Sequence, residues 1–531
     1  MKNSTDKNYL EELKGYYSSF DATCVQIIGK DYSRRIHPFD KGIRKELDKI
    51  QLKKENEFEL FEYLQVLKNL WSLLIEKSII CLRYYDTREP FINPKDGKTT
   101  NKEPYAYGVS ELSNYFEKYV EYENVLYGSA SYYRDHVVHV FRVWLLGMRQ
   151  LLCNNCNYLD KIKIESGYDV NYLEKLSVWT LIALTHDLGY PLQKSLEIVD
   201  KTRVMMRSFV DNPIVMMDLS FSGVQNSMND FVLRFISSKM RELDTTTGLL
   251  KELSITDGPD DDEIIPDLEL KKKRYVARLQ PKYYFKFQKS LEHNQHGVLS
   301  ALIIYKLLLY FLESDFNINE DYIFKHEDTR QFYLRREILR AIASHTCKDI
   351  YQLDLNSFSF LLQLCDDAQE WGRKSISELY VKTHTEYVFD GITLNFSNSD
   401  PHKVSIKETY TAPDMQAVKP VLDAFFRQST TYRDVFRDGQ ETNLRNFDFE
   451  KIDVFRIPNR ANIDTYKIKL LISTKSRTQI TITKDGVEIQ KDDPFVNAIN
   501  DSFDNCFKKS IDDYRISRKI IGAKSISFML P

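Results

Sequence analysis

Apolar residues recur every three to four positions along the first two thirds of the chain and alternate every second position near its end. Within 57–85, Leu60, Tyr63, Leu64, Leu67, Leu70, Leu73 and Leu74 fall on one helical face. The same spacing covers 133–150, 176–185, 297–313 and 358–371. The pattern therefore predicts a mostly helical region up to about residue 120 and a helical bundle from about 125 to 375. Two stretches break it. Residues 88–104 hold Pro, Gly, Asn and Lys and read as an exposed loop. Residues 244–281 carry DGPDDDEIIPD followed by LKKKR, and an acidic block beside a basic one reads as a solvated loop.

After about residue 378 the period changes. YVFDGITLNF and ITITKDGVEIQ each set Asp-Gly between runs rich in β-branched and aromatic residues. That is a hairpin signal, because Gly accepts the positive φ of a tight turn. KVSIKETYTA and YKIKLLIST add strand candidates, and helical stretches lie near 415–428 and 495–514. The expected fold is mainly α: a helical region at 1–120, a helical bundle at 121–377 with an insert at about 240–285, and a C-terminal α+β domain at 378–531 containing an antiparallel sheet. No internal repeat interrupts this division.

A chain of 531 residues is too long for one ordinary core. Hydrophobic residues make up 42% and charged residues 28%, which excludes a disordered chain. The net charge of −3 gives no global attraction to nucleic acid or to an acidic membrane. The longest apolar stretch, 298–312, is broken by Lys306 and too short to span a bilayer, so it reads as a buried helix. The N-terminal segment MKNSTDKNYLEELKGYY lacks the apolar run of a signal peptide, and seven cysteines fit no full disulfide framework. A reduced, cytoplasmic protein is the simplest expectation. Cys153 and Cys156 have zinc-ligand spacing, but no second pair follows to close a four-ligand site.

The ten histidines are where chemistry enters. His136 and His139 lie in RDHVVHVFRVWLLG, His186 and Asp187 in LIALTHDLGYP, His293 and His296 in LEHNQHGVLSALIIY, His345 in LRAIASHTCKD, and Asp366 and Asp367 in LLQLCDDAQEWGR. Each group sits at or near the end of an apolar helical stretch. Neighbours on a helix diverge by about 100°, so His186 and Asp187 cannot share a helical face, but at a helix end both can reach one cation. Gly189 and Pro191 supply that end. Four imidazoles and two aspartates in apolar settings would be costly to bury without a compensating cation. Imidazole with carboxylate suits Mn, Fe, Co, Ni or Zn rather than Ca. For His37, His326, His384 and His402 a satisfied core role is the simpler reading.

This arrangement resembles the HD superfamily of metal-dependent phosphohydrolases over roughly residues 125–375. The family pattern is a His, then a His-Asp pair, then a distant Asp, and His139, His186, Asp187 and Asp366 match it in order. Extended members add two histidines, matched by His296 and His345, which implies one or two divalent ions. HNQHG also fits through His293, and Asp367 neighbours Asp366; His296 and Asp366 are preferred. The resemblance implies hydrolysis of a phosphate ester or anhydride in a nucleotide by metal-activated water, centred on Asp187. His136 or Lys194 would assist the leaving group, and Arg134, Tyr190 and Arg373 would contact substrate, with Arg142 and Trp371 as further candidates. Members that cleave cyclic dinucleotides carry Lys after HD-x-G, where this chain has Tyr190. The alternative is an HD-fold nucleotide sensor signalling through its C-terminal domain. The expected partner is a nucleotide or other phosphate-containing small molecule, with neither membrane nor nucleic acid; homo-oligomerisation and the role of the C-terminal domain are open.

Overall fold

A computed structural model describes residues 5–28, 37–50, 63–86, 106–129, 134–162, 164, 170–206, 223–242, 275–312, 322–324, 326–347, 356–369, 371, 387–396, 403–438, 448–459, 462–473, 479–489, 493–511, 518–521 and 525–528. The first two thirds are helical as the periodicity predicts: α1 (Asp6–Gly15), α2 (Tyr17–Ile28), α3 (Lys41–Asp48), α4 (Leu64–Asp86), α5 (Val109–Ser129), α6 (Val137–Lys161), α7 (Tyr172–Thr185), α8 (Tyr190–Met206), α9 (Gly223–Ser237), α10 (Pro281–Glu292), α11 (His296–Leu307), α12 (His326–Ser344) and α13 (Phe358–Ala368). Every residue of α7 is buried, and α4, α6, α12 and α13 pack around it. This placement explains why α7 is apolar on all faces. Gly147 lets α6 approach closely: a Cβ there would lie 1.9 Å from the Trp179 ring on α7. The Trp179 indole N–H donates to the Trp144 carbonyl at 3.1 Å across the same contact.

Local chemistry sets the helix boundaries. Asn171 caps α7 by accepting from the Leu173 and Glu174 amides at 2.9 and 3.0 Å, while its own amide donates to Glu174. Ser357 caps α13 by accepting from the Phe360 amide. The apolar run 298–312 is not one helix. α11 stops at Leu307, and a short 3-10 turn follows at Leu309–Phe311. There the Tyr310 carbonyl accepts from Arg335 Nε at 2.8 Å, a contact that a continuing helix would forfeit. The expected loop at 244–281 also needs correction at its end. Tyr275–Leu279 is a strand, β2, the middle of a small antiparallel sheet with β1 (Ser238–Glu242) and β3 (Ile323–Phe324). The acidic block, the KKKR run and residues 88–104 lie outside the described residues.

The C-terminal third is α+β. Strands β4 (Val388–Phe396), β5 (Lys403–Thr411), β6 (Asp448–Asn459), β7 (Asn462–Ser473), β8 (Gln479–Lys484), β10 (Arg518–Ile521) and β11 (Ser525–Phe528) form one sheet in the order β10-β11-β8-β7-β6-β5-β4. A short β9 (Val487–Glu488) pairs with β8. The antiparallel sheet expected from sequence is present with one parallel pair, β5–β6, joined through α14 (Lys419–Asp438); α15 (Pro494–Ile511) packs against α14. The Asp485–Gly486 hairpin forms as predicted, with φ of 49° and 78°. The other Asp-Gly is no turn. It lies inside β4, where Asp390 is a bulge between Phe389 and Gly391 and accepts from the Thr411 hydroxyl at 2.7 Å. No helix among the described residues is long and apolar enough to cross a membrane.

Candidate metal centre

The centre forms where α7 ends. His186 keeps helical backbone angles as its C-cap, and a tight turn through Gly189 leads directly into α8. The carbonyls released there are taken up by side chains: Trp71 Nε1 donates to Leu184 at 2.9 Å and the Tyr115 hydroxyl to Leu188 at 2.8 Å. The Gly189 amide donates to Ser300 Oγ on α11 at 2.7 Å. A Cβ at Gly189 would sit 2.4 Å from the His296 carbonyl, so glycine is what allows α11 to approach the turn. Asp187 is thereby held, buried, in the middle of four helix ends and segments.

Around it the scattered residues converge. Asp187 Oδ2 lies 3.7 Å from His139 Nε2 and 3.6 Å from His186 Nε2. Its other oxygen, Oδ1, lies 3.3 Å from His296 Nε2 and 3.5 Å from His345 Nε2. Asp366 Oδ1 is 2.9 Å from His139 Nε2 and 3.8 Å from His186 Nε2. The ligand atoms of His139, His186 and Asp366 all fall within 4.8 Å of one another, as do those of His186, Asp187 and His345. Metal–nitrogen bonds of about 2.0–2.1 Å place neighbouring ligand atoms about 3–4 Å apart, so these groups can hold a metal ion.

Each imidazole has its Nδ1 tied to a carbonyl oxygen: His186 to Ala183 at 2.8 Å, His345 to Ile342 at 2.6 Å, His139 to Gln369 Oε1 at 2.5 Å and His296 to Gln193 Oε1 at 2.8 Å. A carbonyl can only accept, so each Nδ1 carries a proton and each Nε2 is the nitrogen turned toward the carboxylates, where it donates a proton, as His139 does to Asp366 at 2.9 Å, or would ligate a cation that displaces that proton. His186 Nε2 and His345 Nε2 are buried with no hydrogen-bond partner. That is the situation a cation would relieve.

The charges agree. Burial opposes ionisation of Asp187, but His186, His296 and His345 hold its carboxyl well below the usual range. Asp366 is likewise held low, by His139 and His186 against burial. Burial disfavours a proton on His186, yet Asp187 and Asp366 beside it push its pKa up to about 9. Burial wins at His296 and lowers it. Two ionised, buried carboxylates thus draw positive charge into the pocket, either as protons or as metal.

The remaining sequence candidates separate. His293 is exposed at the end of α10, outside the cluster. Asp367 accepts from Gln363 rather than joining the ligands. His136 is buried beside the ligands and stacks on Tyr190 with ring centroids 3.7 Å apart; its ring lies 6.1 Å from that of His139. Lys194 pairs with Glu197 at 2.8 Å, with its ammonium 5.4 Å from the Tyr190 ring centroid. Arg134 is half-buried directly before α6. Arg373, His384 and His402 lie outside the described residues. Arg142 does not face a substrate: it is fully buried and paired with Asp6 through two bonds of 2.8 Å. Trp371 is core, its indole N–H donating to Asp6. Cys153 and Cys156 are buried, and burial pushes the Cys156 thiol up to about 12, far from a metal-binding thiolate. Burial likewise lowers His37 to about 4.

Sequence reasoning missed Gln193 and Gln369. Their signal was faint: each is a lone amide about one helical turn beyond the segment carrying Asp187 or Asp366. Side chains open to solvent at Asp366 (23%) and His296 (19%), against 5% or less for Asp187, His139, His186 and His345, mark the side on which the centre opens to solvent. No family model, no curated protein and no solved structure matches this chain.

Proposed function

We propose that this chain is an HD-type metal-dependent phosphohydrolase that cleaves a phosphate ester or anhydride in a nucleotide. One observation carries the reading: the two oxygens of Asp187 face opposite donor sets, His139 and His186 on one side, His296 and His345 on the other. A carboxylate so placed can bridge two divalent ions. His139, His186 and Asp366 would complete one set, and His296 and His345 the other. Bound there, such ions would polarise the phosphoryl oxygens and lower the pKa of water. Soft thiolates are absent from the set, and its imidazole–carboxylate chemistry suits Mn, Fe, Co, Ni or Zn.

The chain's own groups supply the rest. His136, buried against Tyr190 at the edge of the centre, is the proton donor to the leaving oxygen. Tyr190 already has His136 on its ring, so it orients His136 rather than taking a base on that face. Lys194 reaches a phosphate only by exchanging Glu197 for it, which favours an anionic group arriving from the open side. The test is elemental analysis of purified protein with a Mn²⁺-supplemented panel of dNTPs, nucleoside monophosphates, cyclic nucleotides and alarmones. Hydrolysis of at least one, abolished by Asp187→Ala in a folded protein, is expected. Turnover that survives Asp187→Ala rejects the site, and a tight nucleotide complex without turnover under several metals would make the chain a sensor instead.

A further inference from the structure

The first helix of the chain is wired to a ligand of the centre. Asp6, at the start of α1, accepts from Arg142 Nε and Nη2 at 2.8 Å each and from the Trp371 indole N–H at 2.9 Å. Arg142 Nη1 also reaches the Trp371 carbonyl at 3.4 Å. That carbonyl accepts from Gln369 Nε2 at 2.7 Å, and Gln369 Oε1 accepts from His139 Nδ1 at 2.5 Å. Asp6, Arg142, Trp371, Gln369 and His139 are all at most 3% exposed. In sequence they span 6 to 371, and only the packing of α1 on α6 beside the end of α13 joins them.

We propose that Gln369 is a positioning residue for His139, and that Asp6 sets the orientation of Gln369 through Trp371. The argument is one of donors and acceptors. An amide has one accepting and one donating end. The Trp371 carbonyl can only accept, so it captures the Gln369 NH₂ and leaves the oxygen facing His139. The reverse orientation would place oxygen against oxygen at Trp371 and a donor against His139 Nδ1. That would move the imidazole proton to Nε2 and remove the lone pair from the centre. The Trp371 carbonyl can play this part only because the Trp371 indole is fixed by Asp6 and its carbonyl by Arg142. A neutral amide suits this place, since Asp187 and Asp366 already put two carboxylates into the same core. The helix α1 is then part of what makes His139 a metal donor.

The inference rests on the metal reading above, and the experiment separates the two. Co²⁺ affinity and the visible absorption of the bound ion are measured for the wild type, Gln369→Leu, Gln369→Glu and Asp6→Asn, each checked for folding by melting in EDTA. Loss of a group that orients a metal-binding imidazole costs about 10- to 100-fold in affinity, so Gln369→Leu should bind Co²⁺ that much more weakly with an altered spectrum. Gln369→Glu keeps an acceptor for His139 Nδ1–H but meets the Trp371 carbonyl with oxygen, so it should bind Co²⁺ more tightly than Gln369→Leu and less tightly than the wild type. Asp6→Asn leaves every ligand in place and should still weaken Co²⁺ binding and shift its spectrum. A second measurement needs no metal: ¹⁵N spectra of histidine-labelled, metal-free protein, with His139 assigned by its absence in His139→Asn. They should show a proton on His139 Nδ1 in the wild type, where Nε2 faces Asp366, and a smaller share of it on Nδ1 in Gln369→Leu. Unchanged Co²⁺ binding in both Gln369→Leu and Asp6→Asn, or a wild-type His139 with no proton on Nδ1, overturns the proposal. A wild type that binds no Co²⁺ yet has the Nδ1 tautomer, lost in Gln369→Leu, supports the positioning and rejects the metal reading alone.

Discussion

Gly189→Ala tests how the centre is assembled without touching a ligand. Gly189 has no positive φ, so alanine meets no backbone penalty there and only contact matters. The new Cβ would lie 2.4 Å from the His296 carbonyl oxygen, 2.6 Å from Leu299 Cβ and 2.8 Å from the Ser300 amide. Two of those atoms are backbone of α11 and cannot swing aside. The helix must retreat by about 1 Å to reach ordinary contact, taking His296 with it and loosening the 2.7 Å bond from Gly189 to Ser300. Overpacking of this kind costs about 1–3 kcal/mol. The lost glycine freedom in the unfolded chain returns about 0.4–1 kcal/mol. At about 2.1 cal/mol/K of unfolding entropy per residue, a net loss of about 1–2 kcal/mol lowers Tm by roughly 1–2 °C for a chain of 531 residues unfolding as one unit. The more specific effect is on His296, which lies 3.3 Å from Asp187 Oδ1. If the centre holds two ions as proposed, the variant should fold, keep an ion at His139, His186 and Asp366, and lose the one shared with His296 and His345. Calorimetric unfolding and elemental analysis read both effects. A variant with wild-type Tm and two ions per chain would refute the idea that Gly189 sets the distance between α11 and the turn.

Gly147→Ala should be more damaging than an exposed helix substitution, because its Cβ would sit 1.9 Å from the buried Trp179 ring; a fall in urea midpoint equivalent to about 1–3 kcal/mol is expected. Asp6→Ala removes the carboxylate facing buried Arg142 and should cost about 3–5 kcal/mol, read from the same urea titration. Adding Mn²⁺ at 100 times its Kd should stabilise the protein by about 2.7 kcal/mol, and EDTA should reverse this; a Tm indifferent to both would exclude binding to the folded state. The pH dependence of stability should change sign with metal. In EDTA, His186 is raised from 6.5 to about 9, so the stability it contributes is complete below pH 6.5 and is lost as pH climbs through 9. With saturating Mn²⁺, protons compete for the same imidazoles, and stability should rise from pH 6 to pH 8. Parallel pH profiles with and without metal would count against the centre.

Much of this molecule follows from local pattern. The 3.6-residue period of 64–86 and 137–161 makes helices whatever their partners, because each must bury an apolar stripe. The Asp485–Gly486 hairpin follows from glycine's tolerance of positive φ. The cost of imidazoles and carboxylates inside apolar helices pointed to a shared cation, and the resemblance to the HD pattern selected the ordered set His139, His186, Asp187, His296, His345 and Asp366. Where two residues competed, at His293 and His296 or Asp366 and Asp367, the preference for His296 and Asp366 came from the family pattern, since adjacency alone does not say which side of a helix end faces the core.

Tertiary structure decided what distance in sequence conceals. Arg142 looked like a phosphate contact until Asp6, 136 positions earlier, proved to be its partner. Asp390–Gly391 reads as a turn, but pairing with β5 absorbs it as a bulge within a strand. Gln193 and Gln369 carry no motif, and their role exists only because α8 meets α11 and the end of α13 meets α6. The physical reason is the same in each case. Period and propensity act over a few residues, whereas proton placement and charge compensation act over a few ångströms, between whichever groups packing brings together.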